Sequence, residues 1–460
     1  MTEGAIWKNI LLFALPLMLG NIFQQLYNTV DSIVVGNFVG KEALAAVGTT
    51  DSIINTFIGF FSGLATGSGI IISQYFGEKN EKGVHDAVHT TIALTFLMSL
   101  ICTVCAILLV PAFLHMMGTP KDVFNQSAVY LRIYFAGSMG LLFYNMGAGI
   151  LRAVGDSRRP LYFLIFSALL NIGLDLFFVA YLGLGVAGVA WATIISQGAS
   201  AILIMAALSR ETESYRVIWR KVRINPVMTR KIFQIGLPSA LQMAVTSFSN
   251  VFVQSYINHF GSAAMAGWSS YGKIDKFCLL PIQSISMGVT TFVGQNLGAR
   301  KLDRVKRSTR VGLMICFGIA LVIIIPVWLA AGSLVRLFNQ SPDVLSYGTL
   351  FVRLEMPFYF ALCINQIYAG TLRGVGNTNG DHDVLLHCFP AGVSVFRFSY
   401  YRVNHLGSAG VSLWLDSVQP VPCSLFQAYQ SGEVQGGRIM GECRSVKSAA
   451  NGRNGFFSRR

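Results

Sequence analysis

Charge is what this sequence has least of. Only 12% of its 460 residues are Asp, Glu, Lys or Arg, while 53% are hydrophobic and the mean hydropathy is +0.55. An ordinary soluble domain carries about 25% charged residues, so this chain cannot cover a water-facing surface of its own. Cysteine is sparse too, and the single CxxC, Cys102 to Cys105, lies within an apolar run. That excludes a redox thiolate, which needs exposure. His85 and His89 stand four apart in a polar connection with no third ligand nearby, so a solvated loop helix is expected rather than a metal site. No HExxH, no GxSxG and no Ser/His/Asp set at usable depth is present, so the chain does not read as an enzyme and no cofactor is expected. GLGVAG at 183–188 matches the dinucleotide fingerprint GxGxxG, but no strand precedes it and no acid follows about twenty residues on; it reads as a tight turn with close helix packing.

What is abundant is long apolar sequence. Windows of about 20 residues, enough to span a bilayer, recur near 11–35, 44–75, 90–114, 128–150, 161–182 and 184–208, then near 232–258, 264–294, 311–335 and 345–371. The first is no cleavable signal, because Pro16, Asn21, Gln24 and Gln25 interrupt it and no small-residue cleavage site follows a short apolar core. The chain is therefore expected to be an all-α integral membrane protein.

The net charge of +14 would suit nucleic acid if it formed a stripe with interleaved aromatics; it does not, so no nucleic-acid partner is expected. Lys and Arg instead crowd alternate connections, at 77–90, 152–159, 209–231 and 298–310. The other side has little more than Lys41, Lys121, Arg132, Arg336 and Arg353. By the positive-inside rule the N-terminus is cytoplasmic and the basic character is topological.

A shift of about 221 residues exposes an internal duplication. ALPLMLG (14–20) answers GLPSALQ (236–242), SQYFGEKNEKGV (73–84) answers GQNLGARKLDRV (294–305), and GILRAVGDS (149–157) answers GTLRGVGNT (370–378). Six spans per repeat is an even number, so the halves share orientation and are parallel repeats about an axis along the membrane normal. The expected architecture is two parallel-related six-helix bundles around a central cavity: 1–208, a cytoplasmic linker at 209–231, and 232–430. The basic segment 431–460 reads as disordered.

Polar residues within the spans mark the chemistry. Asn21, Gln24, Asn28 and Asp31 recur at three and four residues and form one stripe of the first span; Ser167, Asn171 and Asp175 do the same in the fifth. A carboxylate at membrane depth costs about 2.5–3.5 kcal/mol and usually faces a cavity or a partner. Two stripes converging in the first bundle would offer two carboxylates, the Asn171 carbonyl and the Thr193 hydroxyl, an all-oxygen set for a hard cation for which a proton can compete. Hydrogen-bonded packing of both acids is the structural alternative. Gln242, Asn250 and Gln254 stripe the seventh span without an acid, so they, with Gln24, Asn28 and Lys273, are candidates for lining a substrate cavity. For Lys273 and Asp275, cavity lining and structural pairing are equally open.

At this point the chain resembles the multidrug and toxic compound extrusion (MATE) family, its DinF-like bacterial branch in particular. The residues that carry the likeness are Pro16, YNTVDSIVVG (27–36), ISQYFGEKN (72–80), GILRAVGDSRRP (149–160) and VTTFVGQNLGA (289–299). The resemblance implies twelve helices and export of organic compounds in exchange for Na+ or H+. It implies a cation site at Asp31, Asn171, Asp175 and Thr193. Acids that other branches carry in the second bundle are not evident.

The expectation is thus a cation-coupled antiporter of the bacterial plasma membrane, working by alternating access with bending at Pro16, its partners being small, often cationic, organic substrates and membrane lipid. It is expected to act as a monomer. A lipid or lipid-linked oligosaccharide flippase of the same superfamily is the alternative. The spans that the repeat demands near 382–403 and 405–429 are not apolar: Asp381, Asp383, Arg397, Arg402, Asp416, Pro420 and Pro422 fall at or within them. Yet Leu406, Gly407, Ala409, Gly410 and Val411 still echo residues 184–189, a patchwork that reading-frame errors after about residue 378 would leave. Such a chain is expected to lack two sound helices and not to transport.

Overall fold

The computed structural model describes residues 1–376 apart from 118, 120 and 259; the two expected final spans and the basic tail lie outside the described residues. Among the described residues the chain is built of helices and turns. The first half holds α1 (Ile6–Val34), α2 (Lys41–Gly77), α3 (Glu81–Met116), α4 (Lys121–Ala136), α5 (Ser138–Ala153), α6 (Arg158–Asp175) and α7 (Gly185–Arg210). The second holds α8 (Pro226–Asn258), α9 (Ser262–Gly298), α10 (Leu302–Leu329), α11 (Ala331–Arg336), α12 (Pro342–Glu355) and α13 (Tyr359–Val375). Seven of the helical stretches are long and apolar enough to cross a membrane. Large apolar side chains such as Leu108, Leu169, Ile202 and Val322 point outward, more than six-tenths exposed. A surface of that kind suits lipid and not water.

The duplication shows in the helices. The fourth window is two helices broken at Gly137, and its repeat, the tenth window, breaks at the matching place, Met356–Phe358, where Pro357 lacks a donor. The tight turns after α2 and α9 each hold a non-glycine residue at positive φ, Lys79 (58°) and Arg300 (57°), again equivalent positions.

Each half starts inside the other. Ile10 and Ala14 of α1 are buried in the apolar core of the second half, with Ile282, Ile285 and Val289 of α9. Met228 and Ile232 of α8 are buried in the core of the first, with Val84, Val88 and Ile204. Lipid gives helices no hydrophobic reason to associate, so close packing must do it. Small residues permit this: a Cβ on Gly63 or Gly67 of α2 would come within 2.4 Å of Ala240 or 2.5 Å of Gly236 in α8.

The linker of 211–225 is no free tether. Tyr215 and Val217 are buried against the first half, the Ile218 N–H donates to His89 Nε2 (3.0 Å), and the Asn225 N–H donates to the Thr90 hydroxyl (3.3 Å). The loop reading of the histidines is therefore corrected. Both lie on α3, their rings stacked at 3.9 Å, and His89 is buried because the linker covers it. GLGVAG is a turn: Gly183 and Gly185 have positive φ, and Gly188 packs against Phe178.

Candidate functional site

The two polar stripes meet within the first half. α1 and α6 pack side by side, and the polar residues of α6 face inward: Ser167, Asn171 and Asp175 are all buried, four residues apart on one face. The Ser167 hydroxyl donates to the Ser196 carbonyl of α7 (2.8 Å), which fixes that face against α7. Asp175 is fully buried, and neither of its carboxyl oxygens makes a hydrogen bond of normal geometry within the protein. Its charged neighbour is the carboxyl of Asp31. The Asn171 amide, 2% exposed, is unpartnered at both its oxygen and its nitrogen. A buried amide or carboxyl without partners costs about 1–3 kcal/mol or more, so such groups call for an explanation.

Each acid stands close before a π-helical stretch, Asp175 directly before Leu176–Tyr181 and Asp31 one turn before Val35–Val39. Such widened turns recur at functional sites because they leave the helical hydrogen-bond ladder locally rearranged.

Below the acids, toward the face of the molecule that carries the N-terminus, lies a cleft of about 90 Å³ between α1, α5, α6 and α7. Asn171 and Thr193 line it, as do Pro16, Asn21 and Gln24 of α1 and, from α5, Tyr144, Asn145 and Arg152. The Thr193 hydroxyl donates to the Val189 carbonyl (2.9 Å), which leaves its lone pairs available to a cation. The donors that the expected cation site would use are oxygens, which would suit a small hard cation; no cluster of three His, Cys, Asp or Glu that could hold a metal ion occurs among the described residues.

The remaining sequence candidates are dispersed. Gln24 lines the cleft; Asn28 is exposed on α1, Gln242 half-buried and Gln254 exposed on α8, and the Asn250 side chain lies outside the described residues. Lys273 is exposed with its Nζ 5.2 Å over the Phe338 ring, so it lines neither described cleft. Asp275 answers the other half of that question: the hydroxyls of Tyr271 (3.1 Å) and Tyr359 both donate to its Oδ1, a structural pairing. Glu355 lies near it, so the second half does hold half-buried acids. Sequence reading passed over Tyr144, Asn145 and Arg152, although the polar pair four turns into an apolar window was visible. It also passed over Gln197, one turn beyond Thr193.

Two repeated helical bundles with a lipid-facing surface and a polar cleft within the first define a membrane transporter. The sequence profile of the MatE family matches the chain twice, over residues 16–177 and 238–395, and the chain belongs to that family. The two matches begin at Pro16 and Pro238, the pair that the internal repeat aligns, and the second runs past residue 378, where the apolar pattern deteriorates. The chain is 30% identical over 382 residues to the probable multidrug resistance protein YoeA of Bacillus subtilis (strain 168), covering 82% of each chain. It is 27% identical to YpnP of the same organism, also a probable multidrug resistance protein, over 94% of this chain and 96% of that one. Its fold matches an outward-facing structure of a multidrug resistance MATE family transporter with a TM-score of 0.81 at 25% identity, over 90% of this chain and 92% of the other.

Proposed function

We propose that this chain couples the inward movement of Na+ or H+ through its first bundle to the outward movement of organic compounds across the bacterial plasma membrane, and that it does so despite the polar residues in its last two expected spans, since the family match continues to residue 395. The observation that carries the reading is Asp175: fully buried beside Asp31, with neither carboxyl oxygen in a hydrogen bond of normal geometry and the adjacent Asn171 amide unpartnered. An ion relieves that arrangement. Na+ would take the oxygens of Asp31, Asn171, Asp175 and Thr193, and a proton would be shared by two carboxyls that cannot both stay ionised at close range.

Neutralising the pair alters what α1 must face. Pro16 lies within α1 and lines the same cleft, and a proline already lacks one intrahelical hydrogen bond, so bending there is cheap. In this reading α1 bends when the ion binds, the cleft changes shape, and cargo held between the bundles is released outward. The membrane potential adds about 2.3 kcal/mol per inward charge per 100 mV, so one cation drives appreciable uphill export. The basic connections support a cytoplasmic N-terminal face, and in this reading contact between the halves at that face corresponds to the outward-facing state. Relatives that are named multidrug resistance proteins support organic cargo.

The test is reconstitution of the full chain in liposomes loaded with a fluorescent organic cation, with Na+ and pH gradients imposed one at a time. One gradient should drive transport in the wild type and fail to drive it in Asp175→Asn. Undiminished gradient-driven transport by a normally inserted Asp175→Asn protein would return the acid to a packing role.

A further inference from the structure

The cleft below the acids does not stop at the ion site. α6 runs from the N-terminal face inward, and its residues line the cleft from Pro160 to Asn171, eleven residues and so about 16 Å at the helical rise. At the far end Ser157 lines both this cleft and a second, wider pocket of about 550 Å³. That pocket opens among Met1, Asn9 and the 154–159 turn at the N-terminal face. The wall between the ion site's cleft and the opposite solvent is therefore thin. Ser157 is the residue that the cleft and the pocket share, and Arg152, in the last turn of α5, lines the cleft near that end.

Arg152 is an unusual residue to find there. Its side chain makes no hydrogen bond and no ion pair among the described residues, and its titratable neighbour is Tyr144, whose hydroxyl donates to the Pro160 carbonyl (3.0 Å). The nearby acids are engaged elsewhere. Asp156 accepts the backbone N–H groups of Arg158 and Arg159 and pairs with the Arg159 guanidinium at 2.6 Å, and Glu211 pairs with Arg159 as well. Arg152 thus keeps its full positive charge, because a guanidinium does not lose its proton in proteins. A withdrawn charge without a counter-ion is costly, and packing alone does not account for it.

We infer that Arg152 is a cation barrier: its uncompensated guanidinium, at the inner end of the cleft, keeps ions held at Asp31 and Asp175 from slipping to the N-terminal face without cargo. The inference rests on the cation-site reading given above. A polar cleft within one bundle would dissipate the gradient whenever the two bundles seal against each other, since that seal does not close the cleft. A fixed cation closes it electrostatically while leaving room for water, as fixed positive groups do in water-conducting pores. A unit charge passing at about 4 Å in a medium of effective dielectric about 20 is slowed on the order of a thousandfold.

The experiment measures ion movement with no cargo present. Full-length protein in liposomes receives an inward-negative potential, and uptake of radioactive Na+ and acidification of a trapped pH dye are followed. Arg152→Gln should raise the uncoupled flux of the coupling ion at least tenfold, and Arg152→Lys, which keeps the charge, should stay near the wild type. Ser157→Asp leaves Arg152 in place but supplies a counter-charge in the wall, and it should leak as well; it keeps the test open if Arg152→Gln inserts poorly. Adding Asp175→Asn to a leaking variant should abolish the leak, because the ion passes through that site. Inserted Arg152→Gln and Ser157→Asp proteins that are as tight as the wild type would overturn the barrier. A leak that persists with Asp175→Asn would overturn the path. Failure of the cation-site reading shows separately, as cargo export by the Asp175→Asn single variant.

Discussion

Gln74 and Gln295, equivalent residues of the two repeats, each donate a hydrogen bond to a backbone carbonyl of the opposite half. The Gln74 side-chain amide donates to the Gly374 carbonyl (3.0 Å) and the Gln295 amide to the Ala153 carbonyl (2.7 Å), and the acceptors are themselves equivalent. One net hydrogen bond contributes about 0.5–1.5 kcal/mol, so two related bonds at the junction of the halves hold it shut symmetrically. Replacing both glutamines with alanine should favour separation of the N-terminal face by about 5- to 150-fold. Spin labels on the exposed positions Glu81 and Leu302 read this as a larger population of long distances. Each single variant should give an intermediate shift, and an unchanged distance distribution in the double variant would remove the latch.

The same junction depends on two glycines. A Cβ on Gly77 would sit 1.9 Å from the Gln295 carbonyl oxygen, and one on Gly298 would sit 1.9 Å from that of Gln74. Backbone atoms cannot yield to that extent, and overpacking of this kind costs about 1–3 kcal/mol. Gly77→Ala and Gly298→Ala should each force the halves apart at this face in the same label experiment. Gly173→Ala, with nothing within 4 Å of its Cβ, should not.

Much of this fold was legible because lipid writes a strong signal. Apolar windows gave ten helical segments, and a shift of the sequence against itself gave the two halves. Boundaries inside windows were not visible: nothing in the run 128–150 marks Gly137 as a break, because a one-residue interruption leaves the hydropathy unchanged. The stripe of Ser167, Asn171 and Asp175 was legible from its four-residue spacing, which a helix turns into one face. Arg152 was not, since a cation at the end of a window reads as a topological charge until the structure shows Asp156 and Glu211 committed to Arg159. The burial of His89 was equally hidden, because it depends on the linker folding back over α3.

If Asp31 and Asp175 serve one ion, their variants must not be additive. Asp31→Asn and Asp175→Asn should each abolish most gradient-driven export, and the double variant should be little worse than either, whereas independent sites would add within about 0.3–0.5 kcal/mol. The quantity to compare is the initial rate of cargo export under the effective gradient, normalised to inserted protein. Losses that multiply in the double variant would separate the two acids into different roles.

The orientation proposed from the basic connections can be read by cysteine labelling, for which the structure chooses the reporters. Ser157 is buried and Arg304 is held by the Met1 and Gly4 carbonyls and by Asn296, so neither position reports solvent access cleanly. Arg158 and Asp303 are exposed in connections of the N-terminal face, and Met116, 84% exposed, ends α3 at the other. In a background without the native cysteines, Arg158→Cys and Asp303→Cys should react with a membrane-impermeant maleimide only after the cells are opened. Met116→Cys should react in intact cells. The two inner sites belong to different repeats, so they also test whether the halves share one orientation: labelling of one from outside and the other from inside would make the repeats inverted. Labelling of both from outside would instead turn the whole molecule over and reverse the direction of transport proposed for it.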